Sequence, residues 1–198
     1  MTRKSERTKQ RIVEAANRLF YHKGYHRSSF TDVVEAANVP RGNIYYYFKT
    51  KEDILQAAIQ HRLARIKAML QNWSDTYRTP LERLHRFLNM LPNSMESLAE
   101  YGCPMGTLNA ELGKDSERLH DEARALFQVF EDWLTEQFTE LGYAGHARQL
   151  AQRLISRGQG ISMLTHVHGD AGFLDRETRL LKQRIDNLAA GADPEQAL

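Results

Sequence analysis

Arg41, Asn43, Tyr45, Tyr46, Tyr47, Lys49 and Lys51 crowd into the stretch RGNIYYYFKTK, residues 41–51. Each of these side chains has a chemistry suited to a polyanion. An arginine can donate a bidentate pair to guanine O6 and N7. Lysines neutralise phosphates. A tyrosine hydroxyl can donate to a phosphate oxygen while its ring packs on a sugar or a thymine methyl. A helix buries about one face, so four consecutive aromatics cannot all point into a core. Ile44 and Phe48, four apart, make the inward pair, which leaves Tyr45, Tyr46 and Tyr47 on the outer and flanking faces. Gly42 lets the backbone come close to a partner. A structural role, with Tyr46 or Tyr47 packed on a neighbouring helix, accounts for one of these tyrosines but poorly for all three beside Arg41 and Lys51.

The elements that must hold this set are also written locally. Residues 5–23 place Ile12, Ala15, Ala16, Leu19 and Phe20 on one stripe, which predicts a helix, and Gly24 follows at a C-cap position. Ser29 is an N-cap with Asp32 three residues on, a capping-box pattern, and Val33, Val34, Ala36 and Ala37 give a short apolar helix after it. Asn38 ends that helix, since Asn tolerates positive φ. Pro40 suits the first position of the next, which runs to about Phe48. Two helices parted by so short a turn are a helix-turn-helix signature, with Ala36 and Ala37 small enough for close approach. In such a unit the N-terminal end of the second helix enters the major groove. Arg41, Gly42, Asn43 and Tyr45 occupy that end. Thr50 and Asp53 repeat the capping pattern at the start of a fourth helix that carries Ile54, Leu55, Ala58, Ile59, Leu63, Ile66 and Leu70 to about Trp73. Lys51 at its start offers a further cation beside a helix N-terminus.

The whole chain has 198 residues and a net charge of +2, unevenly spread. Residues 1–51 carry 11 Lys and Arg against 4 Asp and Glu, or +7; the remainder carries 16 against 21, or −5. The basic quarter points to nucleic acid, against the blander reading of a solvated charged face. A single cysteine excludes an internal disulfide framework and fits a reducing cytosol, and neither a secretory leader nor a membrane span is expected. After the fourth helix the chain continues in helical spacing, split at Pro92 and again at GCPMG, with long helices over 116–142, 146–169 and 174–191. The fold class is therefore all-α: a helix-turn-helix DNA-binding domain over 1–50, then a larger helical domain over 51–198.

In that larger domain Phe87, Met90, Tyr101, Cys103, Met105, Phe127 and Phe130 are candidates to line a ligand pocket, although helical spacing alone makes most of them core. Cys103 admits two readings, a small buried hydrophobe or a reactive thiol beside the helix start at Pro104. His166 and His168 are two apart and point to different sides of a helix, so no metal is expected, and no cofactor. Gly158 and Gly160 with Met163 and Leu164 suit close helix–helix contact, so a dimer is expected there, as a four-helix bundle of the last two helices from each chain.

From TKQRIVEAANRLFYHKGYHRSSF through TDVVEAANVPRGNIYYYFKTKEDIL, the first 60 or so residues resemble the TetR family of bacterial transcriptional regulators. The resemblance implies a cytoplasmic homodimeric repressor that binds a palindromic or near-palindromic operator and leaves it when a small molecule enters the body. By position in the motif, Tyr45, Tyr46, Arg41, Gly42 and Lys51 match family DNA contacts, and Thr31 falls where some members touch a base. With Ser29, Asn43 and Tyr47 these complete the set expected to face DNA. Asn38 and Pro40 depart from the usual Gly and Ser of the turn, and Pro40 gives up a side-chain oxygen for phosphate. A thiol-sensing repressor using Cys103 is the variant of this reading. A small helical enzyme or ligand-sequestering protein is the alternative of a different class, without a recognisable nucleophile–base set, phosphate loop or metal quartet to support it.

Overall fold

The computed structural model describes residues 3–113 and 117–197, and every regular element among them is a helix. In chain order these are α1 (Arg3–Lys23), α2 (Phe30–Ala37), α3 (Arg41–Tyr47), α4 (Lys51–Thr76), α5 (Pro80–Leu88), α6 (Met90–Asn93), α7 (Met95–Tyr101), α8 (Pro104–Leu112), α9 (Glu117–Glu140), α10 (Ala147–His168), α11 (Ala171–Ala189) and α12 (Pro194–Ala197). They divide into two compact units, Met1–Arg65 with Pro104–Leu126, and Ile66–Cys103 with Phe127–Leu198. The long helices α4 and α9 each contribute to both.

In the first unit, α1 buries Ile12, Val13, Ala15, Ala16 and Phe20, while Leu19 at the edge of that stripe is only half-buried. Gly24 closes the helix at φ +89° with its amide on the Phe20 carbonyl, 3.1 Å. A Cβ is disfavoured at that φ, so glycine is the residue for this position. Val33 and Ala37 form the buried side of α2. Ala36 is exposed, so only one of the two small residues serves the close approach expected of both. Asn38 takes the left-handed conformation, φ 48° and ψ 51°, as its residue type predicts. Pro40 sits one residue earlier than expected, as the extended N-cap of α3 (φ −55°, ψ 138°). The chain leaves Asn38 left-handed and must still bury Val39, so it needs one extended residue before the helix can start. Ile44 and Phe48 are buried as their spacing predicts, each contributing about 2 kcal/mol. Leu108 and Leu112 of α8, and Leu119, Ala123 and Leu126 of α9, complete this core. The space enclosed by α1, α4 and α8, lined by Phe20, Leu55, Ile59, Pro104 and Leu108, is about 10 Å³, room for one water at most.

The second unit is a helical bundle. The α5–α7 segment breaks at Asn89 and Ser94, on either side of the short α6 that contains Pro92. α11 packs on α5, α10 on α7, and α10 and α11 on each other. Gly169, left-handed at φ 64°, and Asp170, whose carboxylate accepts the Phe173 amide at 3.0 Å, make the corner between the last two. Trp73 and Trp133 meet edge to face at 5.8 Å, and the Trp133 indole donates to Ser74 Oγ. Arg83 ties this end together, donating to Glu140, Gln137 and the Tyr77 carbonyl. Phe127, expected inward on α9, is half-buried.

Candidate nucleic-acid interface

The helix-turn-helix is held by three capping groups, two of which are legible from residue spacing. Ser29 Oγ accepts the Asp32 amide at 3.0 Å and Asp32 Oδ2 accepts the Ser29 amide at 2.7 Å. Thr50 and Asp53 make the same reciprocal pair at the start of α4. The third is Arg11, whose guanidinium donates across to the Ala37 and Asn38 carbonyls at 3.2 and 3.0 Å. Those carbonyls end α2 and have no partner within the helix, so a cation there is doubly suited. Spacing alone leaves Arg11 an ordinary exposed cation of α1. The available signal is that a helix ending on Asn38 must find a donor for its last carbonyls.

Asp32 also receives Lys23 Nζ at 2.7 Å. That bond, and the Ser29 amide, hold its carboxyl at about 2, well below the usual 3.8. A depressed carboxylate contributes stability that is complete above its unfolded value and lost as pH falls through the folded one. Asp32 therefore stabilises the head above about pH 4 and ceases to do so as pH approaches about 2. Asp53, Glu82 and Asp170 are lowered too, chiefly by the amides of Thr50, Thr79 and Phe173 that they accept at helix starts. Thermal melts of native protein and Asp32→Asn over this range are expected to diverge above about pH 4 and converge near pH 2. Parallel curves would show that the Asp32 charge carries no stability.

On this frame the recognition helix α3 presents a mixed face. Arg41, Gly42 and Asn43 are exposed at its N-terminal end, with Ser29 and Thr31 exposed at the start of α2. A Cβ on Gly42 would meet nothing within 4 Å, so the folded chain itself does not require glycine there. The three tyrosines have three different environments. Tyr46 is 70% exposed and Tyr45 43%, its ring stacked on Phe30 at 4.9 Å. Tyr47 is half-buried, and its hydroxyl donates to Ser5 Oγ of α1 at 3.0 Å, with its ring edge-on to Tyr46. Lys49 donates to the Tyr45 carbonyl at 2.6 Å. Lys51 Nζ donates to the carbonyls of Tyr25 and Ser28 at 3.1 and 3.0 Å and lies 4.1 Å above the Tyr25 ring. Its ammonium is thus engaged within the head, with one of its three donors left over.

In the second unit, Phe87 and Phe130 meet edge to face at 5.8 Å. Cys103 Sγ accepts from Gln159 Nε2 at 3.4 Å, and both residues are half-buried. Met90 stands on α6 and Tyr101 ends α7, its phenol pushed up by its bond to the Glu100 carboxylate. Met105 lies on α8, in the first unit. His166 Nδ1 is 2.9 Å from the Ala99 carbonyl. Among the described residues no three His, Cys, Asp or Glu side chains converge as a metal site, and no helix is long and apolar enough to cross a membrane.

Residues 12–58 match the model of the tetR family of bacterial regulatory proteins, and residues 80–179 that of the C-terminal domain of LmrA/YxaF-like transcriptional regulators. The chain is 28% identical over 185 residues to an HTH-type transcriptional regulator in the lacX 3' region of Lactococcus lactis, covering 91% of this chain and 94% of the relative. It is 25% identical to the HTH-type transcriptional regulator YxaF of Bacillus subtilis over 166 residues, 82% of this chain and 87% of that one. The crystal structure of a TetR transcriptional regulator from Legionella pneumophila superposes with a TM-score of 0.79 at 25% identity, over 90% of this chain and 95% of that one. With both its N-terminal helix-turn-helix and its C-terminal helical region matched, the chain belongs to the TetR family of DNA-binding transcriptional regulators.

Proposed function

We propose that this regulator is a homodimeric repressor whose two heads, residues 1–50, read a palindromic operator and whose body, residues 51–198, dimerises and takes a small-molecule effector. One observation carries the DNA surface: Tyr45 and Tyr46 point outward beside an exposed Arg41 on a helix whose Ile44, with Phe48 just beyond its end, is buried. Arg41, Asn43 and Tyr45 meet base edges, with Gly42 giving the backbone room. Thr31 reaches a base edge from the second helix, and Ser29, Tyr46 and the remaining donor of Lys51 meet phosphates. Tyr47 faces the duplex with its ring edge, its hydroxyl being engaged with Ser5. α10 and α11 form the dimer, supported by the exposure of Met163, Leu164, Val167 and Leu180. Phe87, Met90, Tyr101, Cys103, Phe127 and Phe130, all of the second unit, are the residues for an effector to meet. Binding there would favour a head spacing that no longer fits successive grooves. Its place of action is where the operator is, in the cytoplasm.

The test is selection from a random duplex pool by the native chain. Expected is enrichment of a near-palindrome with half-sites a multiple of roughly 10 base pairs apart. Affinity for it should fall steeply with salt, by about 1,000-fold between 50 and 200 mM for some six phosphate contacts. Failure to enrich any duplex would overturn the proposal.

A further inference from the structure

We propose that Glu111, far from the recognition helix in sequence, is a positioning residue for operator binding; this rests on the head being the operator-binding surface. Its carboxylate Oε2 accepts the backbone amide of His26 at 3.0 Å, and the His26 ring Nε2 lies 3.4 Å from the Glu111 carbonyl. The same carboxylate fills the space beside Gly24: a Cβ there would lie 3.1 Å from Oε1. The turn between α1 and α2 is thus gripped on one side by α8. On another side it is gripped by α4, through Lys51 and the Tyr25 and Ser28 carbonyls. Within the turn Ser28 Oγ donates to the Gly24 carbonyl at 2.6 Å, and Tyr25 and Ser28 are buried. The next residue, Ser29, is the N-cap from which α2 starts. The turn's geometry therefore sets the direction of α2, and through the Asn38 turn that of α3.

Glu111 is presented from a firm base. Arg62 donates to the Pro104 carbonyl at the start of α8, at 2.9 Å. Asn109 links the helix to the Ala123 carbonyl of α9, at 3.1 Å. Leu108 and Leu112 are buried, which anchors the helix in the core of the first unit. A carboxylate held this way can place a backbone amide within the few tenths of an ångström that groove recognition needs.

Charge makes the proposal separable from electrostatics. Removing an anion from a DNA-binding head should strengthen binding to any duplex. Loss of the acceptor instead frees the turn, and its cost should appear only where the fit matters. The full-length chain would be compared as native, Glu111→Ala and Glu111→Gln, on the duplex selected by the native chain and on a random duplex. The Gln variant has the charge of the Ala variant but keeps a carbonyl oxygen for the His26 amide. Expected is a loss of about tenfold for Glu111→Ala on the selected duplex only, largely restored in Glu111→Gln. Faster amide exchange at His26 to Ser29 should accompany it in the Ala variant alone. Native affinity of Glu111→Ala for the selected duplex overturns the proposal. So does an equal loss on both duplexes with a lowered melting temperature, which marks a merely structural role. A native chain that selects no duplex fells the operator reading first, and this one with it.

Discussion

Tyr45→Ala combined with Tyr46→Ala is expected to lower affinity for the selected operator at least about a hundredfold, with helix content and dimer unchanged. The two side chains project from one short helix, 43% and 70% exposed, so little of the fold depends on them. Truncating an exposed side chain usually changes stability by no more than about 0.5 kcal/mol. The Tyr45 stack on Phe30 adds about 0.5–1 kcal/mol, which a head with so many buried anchors tolerates. A hydrogen bond to a base edge contributes about 1 kcal/mol and one to a charged phosphate about 1.5–3 kcal/mol, and removing both at once gives about the hundredfold. Tyr47→Phe is the internal control. It removes only the hydroxyl that Ser5 already occupies, so its affinity should stay within about threefold of native. A double variant that binds the selected duplex like the native chain would remove the basis for reading α3 as the recognition helix.

The contrast among those tyrosines shows what a sequence makes legible. Ile44 and Phe48 announce the inward face because their spacing matches the helix period, and the structure buries both. Ser29 with Asp32, and Thr50 with Asp53, announce helix starts because donor and acceptor lie three residues apart. Asn38 announces its own left-handed turn. All of these are local. What could not be read depends on partners far along the chain. Tyr47 is held by Ser5, 42 residues away, and Arg11 caps carbonyls 26 and 27 residues away. Lys51 is the sharpest case. Its place in the pattern suggests a phosphate contact, and its surroundings give two of its hydrogen bonds to the head's own backbone. α8 is another: GCPMG reads as a break between helices, and nothing in that stretch tells that the helix after it supplies Glu111 to the α1–α2 turn.

The body was legible as helices and much less as a site, for a related reason. Phe87 and Phe130 stand 43 residues apart in sequence and meet in space, and helical spacing assigns both to a core without saying which cores can open. The same limit applies to Cys103. Its position before Pro104 was visible, and its bond from Gln159, on a helix 56 residues later, was not. Exposed apolar residues behave differently, because a helix periodicity that fails to bury a residue is itself a local signal.

That signal supports the second large effect: Met163→Glu combined with Val167→Glu should convert the dimer to monomers at micromolar concentration and reduce operator affinity at least about a hundredfold. Gly160, Met163, Leu164 and Val167 fall at i, i+3, i+4 and i+7, one continuous stripe of α10. Ile161, Ser162 and Thr165 take the opposite, buried face. Met163 and Val167 are 67% and 64% exposed in the single chain, and Leu180 of α11 is 50% exposed, so this apolar face lacks a cover among the described residues. Placing two carboxylates on the face proposed to receive a partner helix would leave buried charges without counter-charges, several kcal/mol in all. The single chain suffers nothing comparable, since both side chains sit in water there. Helix content should therefore survive while sedimentation shows half the mass. Operator affinity falls because a lone head reaches only one half-site. Gly160 sharpens the test. A Cβ there meets nothing within 4 Å in the single chain, and alanine would favour the helix by up to about 1 kcal/mol. If Gly160→Ala raises the melting temperature of a monomerised chain yet weakens the native dimer, the glycine is there for a partner backbone. Dimers that persist with both glutamates in place would move the interface off this face.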